Sequence, residues 1–376
     1  MKKSDIASFV VYAIMLVALF LSFYFGARDA LATQFEGFAS IGVALVVIVV
    51  SLIVGSLVLE LGHVLGAKAG KYKIVSFNFF GLTIIKGKEK TKVKFSGPEG
   101  LISDTKVAPI YDENGKAISK PKAMLWLGNL FLAALIIASA VIYVSYNKGD
   151  TKVIAAIGLL VAVTLGCLLF YNFLPIELDN KTDGAQLKIT AKAANLEAYN
   201  ENLRVKACTL LGDNPGEVKL FDDITNYTAN INMVTAYKCL NEEKYEEALK
   251  IINKILDNSD KIAESIRIEM VAQKLYLLLY MGNIEKAKKY YEEIEVDDKR
   301  YISNANKLVY IRTYILISGY LDPAESEVQY ATSKADKAYK KVEALKKETE
   351  GKLYKNAVRR IKEIHPNWEP VIKENK

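Results

Sequence analysis

Histidine is almost missing from this chain: two in 376 residues, His63 and His365. A site built on several imidazoles is therefore excluded. Cysteine is nearly as scarce. Cys167, Cys208 and Cys239 are odd in number and show no CxxC spacing, which excludes a disulfide framework and a thiolate zinc site. No glycine-rich phosphate loop, Ser/His/Asp set or nucleotide motif is present. Charge is missing too, but only locally, since four long runs in the first 175 residues hold almost none. The chain is 51% hydrophobic and 25% charged, with a mean hydropathy of +0.11, so the apolar excess must lie in those runs. A wholly soluble enzyme and a disordered tail protein are excluded.

Crossing about 30 Å of hydrocarbon takes about 20 apolar residues. Four segments qualify: Ile6 to Ala27, Ser40 to Leu65, Ala123 to Tyr146, and Val153 to Leu174. Lys2 and Lys3 give the first a likeness to a secretory signal. Its apolar run is too long for a signal core and Arg28-Asp29 is no small-residue cleavage site, so it is expected to remain as a span. Charge sets the orientation. Between Gly66 and Lys122, 12 Lys stand against 5 acids, a surplus equal to the whole net charge of +7. The stretches from Arg28 to Ala39 and from Asn147 to Lys152 are poor in positive charge. The positive-inside rule then predicts an integral protein of the cell membrane with both termini cytoplasmic. The basic patch reads as a topology signal and a contact for membrane lipid, and nucleic acid is not an expected partner.

The expected fold class is mainly α: a polytopic bundle of about four spans over residues 1–184, with a small cytoplasmic β-element at about 72–118, followed by a helical domain over 185–376. Tyr72 to Ile85 is rich in β-branched and aromatic residues, Lys90 to Phe95 alternates, and Asp112-Glu113-Asn114-Gly115 reads as a turn. Phe77, Phe79 and Phe80 are expected on a strand lying against the bilayer surface. The stripe Lys86, Lys88, Lys90, Lys92 and Lys94 reads as a solvated strand face.

In the second half the period becomes helical. Ala236-Tyr237 and Leu240, then Tyr245, Ala248, Ile252 and Ile255, describe two amphipathic helices with a short turn. Thirty-nine residues later Leu275-Tyr276, Leu279, Ile284, Ala287, Tyr291 and Ile294 repeat the plan. A weaker third copy runs through Tyr314, Leu316, Gly319, Leu321 and Ala324. The pattern resembles tetratricopeptide repeats, whose period is about 34 residues. The resemblance implies stacked helix pairs and a concave surface for a cytoplasmic protein partner. A plain helical bundle is the alternative.

Ionisable residues within spans are costly, so each is a functional candidate. Glu60 and His63, in Leu59-Glu60-Leu61-Gly62-His63, lie three apart on one helix face near the cytoplasmic end of the second span. At the same end of the fourth stand Asn172-Phe173-Leu174-Pro175, then Asp179, Asp183 and Gly184. Plainer readings exist for each: a structural Glu60–His63 pair, a helix end at Pro175, a bundle hydrogen bond at Asn172.

LELGH resembles the HExxH helix of the site-2 proteases, the intramembrane zinc metalloproteases. NFLPIELDNKTDG resembles that family's second signature, Asn-x-x-Pro followed by Asp-Gly. Lys122 to Asn129 is similar to the entry of a third family helix, without its usual Gly-Pro. The likeness covers roughly residues 40–190. It implies Glu60 as general base, His63 and Asp183 as zinc ligands, and Asn172 and Pro175 shaping the substrate pocket. In that mechanism two imidazoles and a carboxylate hold the metal, and an open position carries a water of lowered pKa. Leu59 stands where the first ligand histidine is expected, and leucine has no lone pair. The spacing from Pro175 to Asp183 is also longer than the common family form, which makes Asp179 a rival ligand. His365 lies too far along the chain to substitute, and Cys167 is a remote candidate. Three readings stay open: a non-catalytic relative that binds a transmembrane or peptide segment, an active zinc metallopeptidase or an inactivated form of one, and a membrane-anchored repeat scaffold.

Overall fold

The computed structural model describes residues 3–87, 90–95, 103–176, 178, 182–321 and 348–366. The chain divides into two compact units, Met1–Gly216 and Glu217–Lys376.

In the first unit, α1 (Lys3–Leu21) passes through a π-helical turn, Ser22–Ala27, into α2 (Arg28–Ala32). Ile6–Ala32 is long and apolar enough to cross a membrane. So are α3 (Phe38–Ala69), α4 (Pro121–Tyr146) and Gly149–Phe173, which contains α5 (Lys152–Phe173). All four expected spans are present as helices. The first runs past Ala27 and α3 past Leu65, because a change of hydropathy does not break a helix. At 32 residues, α3 is about 48 Å long, well beyond what a bilayer core requires.

The crossing of α3 and α4 is close because both are glycine where they meet. A Cβ on Gly62 would lie 2.4 Å from Gly128 Cα. Glycine at such a crossing lets two helix backbones approach closely.

Between these helices lies an antiparallel sheet of β1 (Tyr72–Phe79), β2 (Leu82–Lys86), β3 (Thr91–Phe95) and β4 (Asp104–Pro109), in the order β3-β2-β1-β4. Phe80 and Gly81 both have positive φ, 48° and 83°, as a two-residue hairpin turn requires. Of the expected strands, all are found. The turn at Asp112 carries a single bridge, Tyr111 to Ala117, and the Asp112 carboxylate accepts from the Asn114 and Lys116 amides. Strand β4, with Asp, Lys and Pro in six residues, carries no clear pattern and was not expected.

Helices α6 (Asp183–Thr190) and α7 (Ala193–Leu211) belong with the spans, so compactness divides the chain after Gly216, later than the hydropathy change near 184. The reason is a latch on the sheet: the Tyr72 hydroxyl donates to Asn200 Oδ1 at 2.7 Å, and burial holds that phenol above its usual range.

The second unit is helical: α8 (Asn226–Asn241), α9 (Tyr245–Leu256), α10 (Glu264–Tyr280), α11 (Ile284–Glu293), α12 (Val296–Asn304), α13 (Leu308–Tyr320) and α14 (Glu348–Ile364). The turns after α8 and α10 are alike. Glu243 and Gly282 both have positive φ, and Lys244 N–H to Cys239 O recurs as Asn283 N–H to Leu278 O. These are the same left-handed helix stops. Tyr314, Leu316 and Gly319 lie on α13; Ala324 lies outside the described residues. Helix α14 packs on α8 and α13, and the Tyr276 hydroxyl of α10 donates to Leu353 O at 2.9 Å. Its Leu353, Tyr354, Ala357 and Ile361 are fully buried.

Candidate functional site

Polar residues of the long apolar helices converge with Asp183 of α6. α3 presents Glu60 and His63 one turn apart, and His63 Nδ1 lies 3.5 Å from Glu60 Oε2. His63 Nε2 lies 2.8 Å from Asp183 Oδ2. That oxygen also accepts from Asn129 Nδ2 at 2.8 Å and from Asn172 Nδ2 at 2.7 Å. The amide of Asn172 is oriented by its other end, since the Asp183 backbone N–H donates to Asn172 Oδ1 at 3.3 Å. Glu60 Oε2 accepts from the Thr105 hydroxyl of β4 at 2.6 Å. Glu60, Asn129 and Asp183 are all buried.

Local sequence explains how Asp183 reaches this point. Leu174, preceding Pro175, is extended, which ends α5. Thr182 then caps α6, accepting from Ala185 N–H and donating to Leu174 O. Asp183 is the first residue of that helix. Gly184 allows the close return: a Cβ there would lie 2.1 Å from Phe173 O. Gly184→Ala is therefore expected to displace α6 and cost about 1–3 kcal/mol, the usual range for overpacking. Thermal unfolding of the full chain in detergent measures it, and an unchanged midpoint would show that the α5–α6 return is not tight.

Of the residues singled out in the sequence, Glu60, His63, Asp183 and Asn172 come together. Pro175 is exposed at the helix exit. Asp179 lies outside the described residues. Cys167 turns away, its sulfur 3.9 Å from Met15 O of α1. His365 belongs to the second unit, against Gly319 O at 3.1 Å. Leu59 is buried in an apolar cluster with Leu132 and Leu165. Sequence reasoning gave no role to Asn129 or Thr105. For Asn129 a signal existed, a lone amide in an otherwise apolar span; for Thr105 there was none.

Zinc lacks a ligand here, because Leu59 has no lone pair to give and the two remaining donors, His63 and Asp183, bond each other. Ligand atoms held about 2.0–2.2 Å from a tetrahedral ion stand about 3.3 Å apart, more than the His63–Asp183 separation. Two asparagine N–H groups and His63 Nε2 converge on the one carboxylate oxygen, and both imidazole nitrogens face carboxylates. Among the described residues, no group of three or more His, Cys, Asp and Glu is disposed to hold a metal.

Beside the cluster, α4 and α5 enclose an apolar cleft of about 520 Å³ lined by Trp126, Leu130, Ala133, Gly166, Phe170 and Phe173, with Asn129 on its wall. Trp126 and Phe173 meet edge to face at 4.9 Å. The chain matches no family model, no curated protein and no solved structure.

Proposed function

We propose that this chain is a site-2-protease-like membrane protein that binds a transmembrane or membrane-associated peptide segment rather than cutting it. The observation that carries the reading is the direct 2.8 Å contact of His63 with Asp183, reinforced by two asparagine amides, where the family pattern would hold zinc between them. Leu59 supports it, being packed in the apolar core. The cleft between α4 and α5 is the binding surface, with its bulky lining for apolar side chains and Asn129 for a segment's backbone. The helices of the second unit, read as tetratricopeptide-like, serve a cytoplasmic protein partner, and the Lys-rich stretch keeps both termini on the cytoplasmic side of the cell membrane.

The gathering of Glu60, His63 and Asp183 also favours a second reading, an intramembrane zinc metallopeptidase or an inactivated form of one. If the spans served only to anchor a scaffold, nothing would require the helix ends to meet.

Elemental analysis of the detergent-purified full chain separates these. The parent is expected to hold no stoichiometric zinc, and Leu59→His, which supplies the i, i+4 imidazole pair, is expected to acquire it. Zinc in the parent would overturn the binding reading in favour of the peptidase. A metal-free Leu59→His would overturn the kinship.

A further inference from the structure

The cleft beside the polar cluster is a furrow along two packed neighbours. Its lining comes from α4 and from α5 with the adjoining Leu174, and from no third element. Axes of packed helices lie about 8–10 Å apart, while a helix with its side chains is about 10–12 Å across, so a helical segment can lay only side chains into such a furrow. An extended hydrocarbon chain fits it lengthwise. The furrow also opens sideways. Trp126, Leu130, Phe170 and Phe173 line it yet are 44%, 53%, 45% and 36% exposed, and on helices that cross a bilayer such exposure is to lipid.

Its depth owes something to Gly166. Glycine weakens a helix interior, and packing gives no reason for it here, since a Cβ at this position would meet nothing within 4 Å. The missing side chain leaves the wall hollow. Along α4 the lined stretch runs from Trp126 to Ala133, roughly 10 Å. Lys122 lies one turn beyond it, four residues before Trp126 and so on the same face, exposed at the start of the apolar helix. An apolar track therefore ends in a cation roughly 6 Å further on. Trp126 stands between the two, and indole favours the boundary between acyl chains and headgroups. Hydrocarbon followed by a negative head is the chemistry this layout complements.

We propose that the furrow holds one acyl chain of an anionic phospholipid from the surrounding bilayer, with the lipid's phosphate against Lys122. The proposal rests on the helices crossing a bilayer and not on the protease-like reading; a peptide segment bound in the furrow would first displace the lipid.

Trp126 is the reporter, observed in Trp368→Phe. The full chain is placed in phosphatidylcholine vesicles carrying a minor share of brominated phosphatidylglycerol or, at the same share, brominated phosphatidylcholine, and the quenching of Trp126 gives the relative affinity of the two lipids. Phosphatidylglycerol is expected to be preferred about fivefold, the ratio that one basic residue near an anionic headgroup supports. Lys122→Gln is expected to bring the ratio close to one. Gly166→Phe, which fills the furrow, is expected to do the same, and Gly166→Ala to keep the preference. Ala133→Leu, also in the lining, repeats the test should Gly166→Phe not fold. Equal quenching by the two lipids in the parent would overturn the proposal, leaving only ordinary contact with the bilayer. A preference that survives either Lys122→Gln or the filled furrow would also overturn it, placing the anionic lipid elsewhere on the Lys-rich stretch. So would a Trp126 that emits at short wavelength and escapes both brominated lipids, which would put protein in the furrow.

Discussion

Asp183→Ala is expected to destabilise the first unit by about 3–5 kcal/mol, the cost of removing one member of a buried charged or hydrogen-bonded pair. The carboxylate oxygen it removes is the acceptor for His63, Asn129 and Asn172 at once. All three donors would be left in a site with little water, and each unsatisfied donor adds to the penalty. Asp183→Asn is expected to lose less, because it keeps the volume and one carbonyl acceptor. Unfolding of the full chain in mixed micelles, followed by circular dichroism, measures both. If Asp183→Ala unfolds within about 0.5 kcal/mol of the parent, a range ordinary for surface changes, then the cluster does not hold these helices together.

The second large effect is expected at the crossing of α3 and α4. Gly62→Val places side-chain carbons where the backbone of Gly128 lies, since even a Cβ would be 2.4 Å from its Cα. Backbone cannot swing aside as a flexible side chain can, so the helices must separate. The expected cost is about 3 kcal/mol, the upper end of the overpacking range. Separation also draws His63 away from α4, because the imidazole packs directly on Gly128. Gly42→Ala, on the same helix with nothing within 4 Å, is the control and should change stability by less than about 0.5 kcal/mol. Equal effects at the two positions in the same unfolding assay would rule out the tight crossing as the source of stability.

Much of this architecture was legible in the residues. The four long apolar helices could be read because charge-free runs of that length stand out from the rest of the chain. The sheet was legible where β-branched and aromatic residues cluster, and illegible at β4, whose pairing with β1 is a tertiary choice that no local pattern dictates. The site was half visible. Glu60 and His63 announced themselves by being ionisable within an apolar helix, and Asp183 by its neighbourhood to Asn172 and Gly184. That Asn129 would complete the cluster depended on the rotation of α4, which the glycine crossing sets. Thr105 depended on how far β4 runs back along α3. The direct contact of His63 with Asp183 was also beyond reach, since one-dimensional spacing distinguishes residues that converge from residues that do not, without fixing what separates them.

Helix α14 changes what binding through the second unit entails. It lies against α8, α10 and α13, and its Glu350 stands 3.3 Å from the fully buried Arg312, which also bonds Gln273 and sits over the ring of Tyr276. The surface these helices share is already taken by the chain itself. A visitor to that surface would have to displace α14 and leave the Arg312 guanidinium without its counter-ion, so affinity there would be set as much by eviction as by fit. Proteins ending before residue 348 would accordingly reveal an artificial stickiness that the intact chain conceals.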